Sequence, residues 1–329
     1  MLERNQEEIS RRLGKRLCVS HIALRSLKDG PDVGDVKITQ DAMSVARDPE
    51  VDILLELIGG TEFAYELVLE AIANGKHVVT ANKALIATHG NEIFKAARDN
   101  NVIVAYEAAV AGGIPIIKVV REGLAANKIN WLAGIINGTG NFILTEMQSR
   151  SRPFADVLKE AQALGYAEAD PTYDVEGIDA AHKLTILSAL AFGTSLHLDK
   201  AYTEGISQIT PEDLQYADEL GYRIKHLGIS SLSEQGIDLR VHPTLIAKQA
   251  LIAKVDGVMN AVVMHGDAVG QTLYYGAGAG AEPTASAVVA DVIDVVRRME
   301  CMAQEQEQIP ALGFQTESLR ETRILPIEE

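Results

Sequence analysis

The first regular apolar pattern in the chain begins at Leu17, after a polar, charged opening. From there to Tyr106, short apolar runs alternate with amphipathic stretches. LCVSHIAL (17–24) and VDILLELIGG (51–60) are continuous enough to be buried parallel strands, each followed by a turn. EFAYELVLEAIANG (62–75) spaces its apolar residues as a helix does, and Asn74-Gly75 closes it. KHVVTANK (76–83) predicts a strand, HGNEIFKAARDNN a helix and VIVAYEAA (102–109) another strand. Strands separated by helices predict an α/β fold with a Rossmann-like, doubly wound parallel sheet, because parallel neighbours need a crossover between them.

Past AGGIP (111–115) the rhythm changes. A helix is expected over 116–125, then the strand-like WLAGIINGTG, then long helices through Ala191 that include FADVLKEAQALG and DAAHKLTILSALAFG. Between 236 and 275 short strands with Gly and Asp turns dominate, which predicts a second, mixed α+β domain. PTASAVVADVIDVVRRM then reads as a helix with Pro283 in its first turn. The polar stretch 304–329 lacks a pattern and is expected to lie along the surface. The expected division is therefore a sheet domain at 1–115, a second domain at 116–283, and a helix with a polar tail at 284–329 that returns to the first domain.

The expected sheet lacks one element. In such sheets the first strand and its Gly-x-Gly-x-x-Gly turn meet a dinucleotide's pyrophosphate. Nothing before Leu17 supplies either, and residues 7–16 read as the end of the helix that follows that turn. Either no dinucleotide is bound, or the first strand, turn and part of a helix, roughly 20 residues, lie outside this sequence.

Composition narrows the partners. Of 329 residues, 30 are basic and 46 acidic, a formal charge of −16, which disfavours nucleic acid and anionic lipid. Two cysteines, Cys18 and Cys301, make no disulfide framework and suit a reducing cytosol. No signal-peptide core and no apolar run near the roughly 18–20 residues of a membrane helix is present, so a soluble cytoplasmic protein is expected.

Several blocks carry candidate chemistry. ALRSLKDG ends the first strand with Arg25, Ser26 and Lys28, and no acid precedes Asp29. An Arg there accommodates a 2′-phosphate, which favours NADP over NAD, although a solvated basic loop fits equally well. TANKA places Lys83 at a strand's C-terminal end, where open α/β sheets bind ligands. YEAAVAGGIP sets Glu107 beyond a strand, followed by an irregular loop. One carboxylate with backbone carbonyls suits a hard monovalent cation better than calcium or zinc, and a plain turn between domains fits too. GYAEADPTYDVEGIDAAHKL gathers Glu168, Asp170, Asp174, Asp179 and Lys183. Asp179 and Lys183 stand four apart, so on a helix they share a face, which an ordinary solvated ion pair also does. GAGAGAEPTAS (276–286) puts glycines before a helix N-terminus, and INGTGN (136–141) adds Thr139.

These blocks, with VDILLELIGGTEFAYELVLEAIANGKHVVTANKALIATHG, in this order and spacing, resemble homoserine dehydrogenase from about residue 2 to residue 291. The resemblance implies reversible NAD(P)-dependent oxidation of L-homoserine to L-aspartate 4-semialdehyde, in threonine, methionine and isoleucine biosynthesis. It implies an NAD(P)-binding first domain, and a second domain for substrate, catalysis and homodimer formation. It makes Lys183 the proton donor and acceptor, with Lys83 as a neighbouring cation that touches cofactor and substrate. Glu168 and Asp174 would hold the substrate ammonium, Asp179 would orient Lys183, and Thr139 would meet the substrate. Arg25, Lys83, Gly278 and Gly280 would contact cofactor. Glu107 and the carbonyls of Val110, Gly112 and Ile114 would bind sodium or potassium.

Departures from the pattern are the missing first strand and His182 where the family usually has Arg, and no C-terminal ACT regulatory domain is expected in this stretch. The first of these leaves a second reading: a non-catalytic or cofactor-deficient remnant of the enzyme.

Overall fold

The structure, a computed structural model, describes residues 1–26, 34, 36–302 and 322–326, with the backbone alone for 300–302. The chain forms two units: Met1–Ala109 with Thr284–Ala311, and Val110–Pro283 with Leu312–Glu329.

Parallel pairing organises the first unit. Its elements are α1 (Gln6–Leu13), β1 (His21–Ala23), β2 (Lys37–Thr39), α2 (Ala42–Arg47), β3 (Ile53–Glu56), α3 (Glu62–Ala73), β4 (His77–Thr80), α4 (Lys83–Asp99) and β5 (Val104–Ala105). They make two parallel sheets, β1–β2 and β3–β4–β5, and among the described residues no strand joins β1 to β3. In the strand order 3-2-1-4-5-6, that is the place of the first strand.

Burial follows from this split. All four residues of β4, the middle strand of its sheet, are buried, whereas Leu55 on β3 is 38% exposed. The apolar core of the unit sets Val79, Ile103 and Ala105 against Val288 and Val295 of the helix Ala281–Met302.

Strands are shorter than the apolar runs suggested: 17–24 yields only β1, and 51–60 only β3. Helix α4 starts at Lys83, six residues before the expected His89. Asn82 is the reason: its side chain accepts the Leu85 N–H at 3.1 Å and caps the helix there.

The second unit begins with α5 (Ile116–Lys118), which widens into a π turn at Val119–Gly123 where a regular helix was expected. Then come β6 (Ile129–Ile135), α6 (Gly138–Arg150), α7 (Phe154–Ala163), α8 (Thr172–Val175), α9 (Ile178–Phe192), β7 (Tyr202–Thr203) and α10 (Pro211–Glu219). The rest is β8 (Tyr222–Leu232), β9 (Ile237–Ala247), β10 (Met259–Gly266), β11 (Gly270–Ala277), α11 (the helix Ala281–Met302) and β12 (Ile324–Leu325). The sheet runs β11-β10-β6-β8-β9-β12, with β7 also on β9. Its central pairs are antiparallel, while β7 and β12 join β9 in parallel.

Two features went unread in the pattern. Strand β8 carries Lys225 and His226 at its centre, and both are buried, so its polarity hid it. Ile324 in the polar tail is buried and pairs with Ile237, because the open edge of β9 supplies hydrogen-bond partners that no local pattern shows.

Helix α9 is buried along almost its whole length. It can start where it does because Gly177, at φ 82°, has Thr203 and Val241 side-chain atoms 3.0 Å from the place a Cβ would take.

Candidate active site

A polar cluster of the second unit lies where β6 passes into α6. Asn137 caps α6, its side-chain oxygen accepting the Gly140 N–H at 2.7 Å. Its amide nitrogen donates to Asp174 Oδ1 at 2.7 Å and to Asp179 Oδ2 at 2.9 Å. Lys183, one turn after Asp179 on α9, donates from Nζ to Asp179 Oδ2 at 2.7 Å and to the Ile136 carbonyl at 2.8 Å. Asp179 is 3% exposed and Asn137 7%. The Lys183 side chain retains 13% exposure, so this is no ordinary solvated ion pair.

The count of hydrogens on Lys183 decides what it can do. An ammonium has three, and two are committed here, which leaves one for a ligand. A neutral amine has two, both committed, which leaves its lone pair in that same direction. The anchoring serves either protonation state.

Beside this cluster the Tyr173 hydroxyl lies 2.5 Å from His182 Nδ1. Burial, with the nearby charges of Asp179 and Asp174, pushes the Tyr173 hydroxyl up to about 12. The phenol therefore stays neutral and shares a hydrogen bond with the imidazole whose direction is set by the histidine tautomer. His182, the departure from the family pattern, is engaged by this tyrosine.

Other expected substrate residues stand further out. Glu168 is exposed on the loop after α7, where its backbone carbonyl accepts from Gln162 at 3.1 Å. The Thr139 hydroxyl donates to the Tyr166 carbonyl at 2.6 Å, tying the start of α6 to the loop that carries Glu168. A substrate contact by Thr139 is left to its oxygen lone pairs. Asp170 is exposed and accepts the Thr172 N–H, with hydrogen bonds from Thr172 holding its carboxyl below the usual range.

In the first unit, a buried carboxylate organises the strand ends. Glu56, 1% exposed, accepts the N–H groups of Ile58 and Gly59 at 3.0 and 3.1 Å and the Thr80 hydroxyl at 2.6 Å. Thr80 Oγ1 accepts the Asn82 N–H, and Asn82 donates to the Gly60 carbonyl at 2.6 Å. Lys83 follows as the first residue of α4, at the C-terminal end of β4. Arg25 is exposed, and its carbonyl accepts from Gln40. Lys28 and Asp29 lie outside the described residues.

Glu107 is buried in the first unit, where its N–H donates to Asp291 at 2.7 Å. The loop that follows opens the second unit: Val110 is fully buried and Ala111 takes a left-handed turn at φ 49°. The N–H groups of Gly112 and Gly113 bond the carbonyls of Gly278 and Ala277, and the Ile114 carbonyl accepts from Ile116 at 2.7 Å. Among the described residues no cluster of three His, Cys, Asp or Glu side chains can hold a metal.

At Gly278 a Cβ would fall 2.0 Å from Asn260 Nδ2, so only glycine fits. The Asn260 amide beneath it is buried, and neither its oxygen nor its nitrogen has a partner. Gly280, at φ 117°, turns the chain into α11.

The family models match the two parts of the chain separately. "Homoserine dehydrogenase, NAD binding domain" covers residues 1–107, and "Homoserine dehydrogenase" covers 115–293. The chain belongs to the homoserine dehydrogenase family.

It is 65% identical to the homoserine dehydrogenase of Pseudomonas aeruginosa over 100% of this chain and 75% of that protein. It is 57% identical to the enzyme of Neisseria gonorrhoeae at the same coverage. The homoserine dehydrogenase structure from Thiobacillus denitrificans superposes with TM-score 0.96 at 63% identity, over 99% of this chain and 76% of that one. A hyperthermophilic archaeal homoserine dehydrogenase in complex with NADPH gives TM-score 0.69 at 27% identity, over 89% and 82%.

Homoserine dehydrogenase is an NAD(P)-dependent oxidoreductase acting on L-homoserine, an amino alcohol of amino-acid biosynthesis. Removing a hydride from an alcohol needs a group to take the hydroxyl proton, and carboxylates suit the substrate's ammonium. The cluster around Lys183 contains an amine and carboxylates, groups of both kinds.

Three residues were not singled out by pattern: Asn137, Glu56 and Asn260. An Asn just before a helix is a capping signal, so Asn137 was readable as a cap but not as a bridge between acids. Glu56 sat within an apolar run, and nothing local marks Asn260 as lacking partners. Among the described residues no helix is long and apolar enough to cross a membrane.

Proposed function

We propose that Lys183 is the proton-transfer group of the homoserine dehydrogenase reaction, and that Asp179 holds it in place. The observation that carries this reading is the commitment of two Nζ hydrogens to Asp179 and Ile136, which leaves one direction for the substrate. With Lys183 neutral, its lone pair takes the hydroxyl proton of L-homoserine as the hydride leaves the same carbon. In the reverse direction the ammonium returns that proton to the aldehyde oxygen of L-aspartate 4-semialdehyde. Asp174 holds the substrate ammonium, Glu168 closes in from its exposed loop, and Thr139 accepts a substrate hydrogen.

The nicotinamide cofactor, when bound, supplies the two-electron acceptor for the hydride. Arg25 and Lys83 would be its contacts, with Gly278 and Gly280 as further candidates. The unpartnered Asn260 amide beside Gly278 supports a polar ligand at that turn. Arg25 makes NADP the preferred form, because a guanidinium pairs a 2′-phosphate bidentately and gains nothing from a ribose hydroxyl pair.

A sodium or potassium ion is held by Glu107 and the carbonyls of Val110, Gly112 and Ile114. Supporting this, the loop's N–H groups are spent on Ala277, Gly278 and Ala111, while the Val110 and Gly112 carbonyls receive no hydrogen bond among the described residues. The enzyme works as a homodimer through its second unit, which leaves Leu245, Leu251 and Tyr275 exposed.

The test is Lys183→Ala, assayed by steady-state kinetics. We expect kcat to fall by about 10²–10⁴-fold with little change in KM for homoserine. A variant that keeps near-normal turnover overturns the assignment.

A further inference from the structure

We infer that Asn137 is a positioning residue for this reaction: its one amide group sets the separation and charge balance of the two carboxylates that serve substrate and base. The inference rests on the role proposed above for Lys183.

Every polar atom of the Asn137 side chain is used. Its oxygen caps α6, and its two N–H groups go one each to Asp174 and Asp179. Those acids come from different helices, α8 and α9, and two carboxylates brought to one amide repel each other unless a donor stands between them. Only a neutral group with two donors and an acceptor meets all three demands, and among side chains of this length that is asparagine. A lysine or arginine in its place would neutralise the acids and compete with Lys183 for Asp179.

The neighbouring residue completes the device. Ile136 offers its carbonyl to Lys183 Nζ, so two consecutive residues at the end of β6 set both the base and the acid that orients it. Behind them α6 is held rigidly. Asn141, one turn along, donates to the carbonyls of Val255, Gly257 and Met259, and its oxygen accepts from the buried Lys225 at 3.1 Å. The Asn137 amide is thus aimed by a fixed helix rather than by the acids it bridges.

Two substitutions separate bridging from capping, since Ser and Asp both cap helices well. Asn137→Ser keeps the cap and replaces the two N–H donors by a single hydroxyl hydrogen on a shorter side chain, which cannot hold both acids. Asn137→Asp keeps cap and shape but puts a third carboxylate between Asp174 and Asp179. In the Ser variant we expect kcat to fall and KM for homoserine to rise, each by about 10-fold, because loosening Asp179 acts on the base and loosening Asp174 on substrate binding. The Tm should stay within a few degrees of wild type.

In the Asp variant the loss should depend on pH. The ratio of its kcat/KM to that of wild type should rise by about 10-fold between pH 8.5 and pH 6, as a proton shared among three carboxylates replaces a lost donor. Lys183, Tyr173 and His182 face the same cluster in both proteins, so whatever they contribute to the pH profile largely cancels in the ratio.

Near-wild-type kcat and KM in both variants, with Lys183→Ala inactive, would refute the positioning role and leave the reaction assignment standing. A flat ratio across pH with a matching fall in Tm would refute it as well. An active Lys183→Ala variant would instead remove the assignment on which the inference rests.

Discussion

The two units place polar side chains by opposite means. In the first, Glu56, Thr80 and Asn82 sit at strand ends and bond mostly the backbone of turns a few residues away, apart from two links, Thr80 to Glu56 and Asn82 to the Gly60 carbonyl, 24 and 22 residues apart. In the second, Asn137, Asn141, Asp179 and Lys225 bond partners 30 to 118 residues distant. The first unit's chemistry is therefore carried by loops at the edge of short strands. The second unit's is built into its interior, where each polar group costs dearly if its partner is lost.

The comparison is most exposed at Lys225. Its ammonium, 1% exposed, donates to Asn141, the Val255 carbonyl and Asp256. Burial holds its pKa below the usual lysine value, only partly offset by Asp256. Lys225→Met keeps the stem but strands the Asn141 oxygen and takes from the Val255 carbonyl one of its two donors. We expect a loss of about 2–4 kcal/mol in urea unfolding, together with a fall in activity as α6 loosens. A loss no greater than that of a surface substitution would show that the interior network is not what fixes the second unit.

Glu56→Gln is the matching substitution in the first unit, with a smaller effect expected. The amide oxygen still accepts from Ile58 and Gly59, and the remaining change is at Thr80. About 1 kcal/mol should be lost, with KM for the cofactor raised more than kcat is lowered. If Glu56→Gln costs as much as Lys225→Met, the contrast between the units fails.

The smallest effect concerns pH, and each unit supplies one histidine. Burial lowers the pKa of both His77 and His226. His77 Nδ1 accepts the Ile103 N–H, and His226 Nδ1 is buried without a partner while Nε2 faces the Glu204 carbonyl. Above about 6.5 both are neutral in folded and unfolded chains, so their stabilising share is fully present. As pH falls below 6.5 the unfolded chain takes protons first, and that share is lost down through the folded pKa. The urea midpoint should therefore drop between pH 7.5 and 5.5. His77→Gln and His226→Gln should each reduce that drop, which fluorescence-monitored unfolding at the two pH values would measure.

Much of this was legible in the residues themselves. Alternating apolar runs announce a parallel sheet with crossovers in the first unit, and the structure has β3–β4–β5 with α3 and α4 between them. The Asp179–Lys183 pair follows from a helical period of 3.6, so its face needs no tertiary information. Strand β8 was hidden because Lys225 and His226 are polar, and polarity predicts exposure wherever no buried partner is visible. The start of α4 was misplaced because its capping signal, Asn82, lies inside what reads as a strand end.

The sequence by itself determined the fold class and the family, and it named the candidate acids and lysines, since those depend on local period and on ordered motif blocks. Tertiary structure alone decided that Asn137 lies between Asp174 and Asp179, that Ile136 meets Lys183, and that Lys225 is interior. Hydrogen bonds among buried groups depend on the distance and angle between atoms far apart along the chain. No spacing within a single helix or strand encodes those quantities.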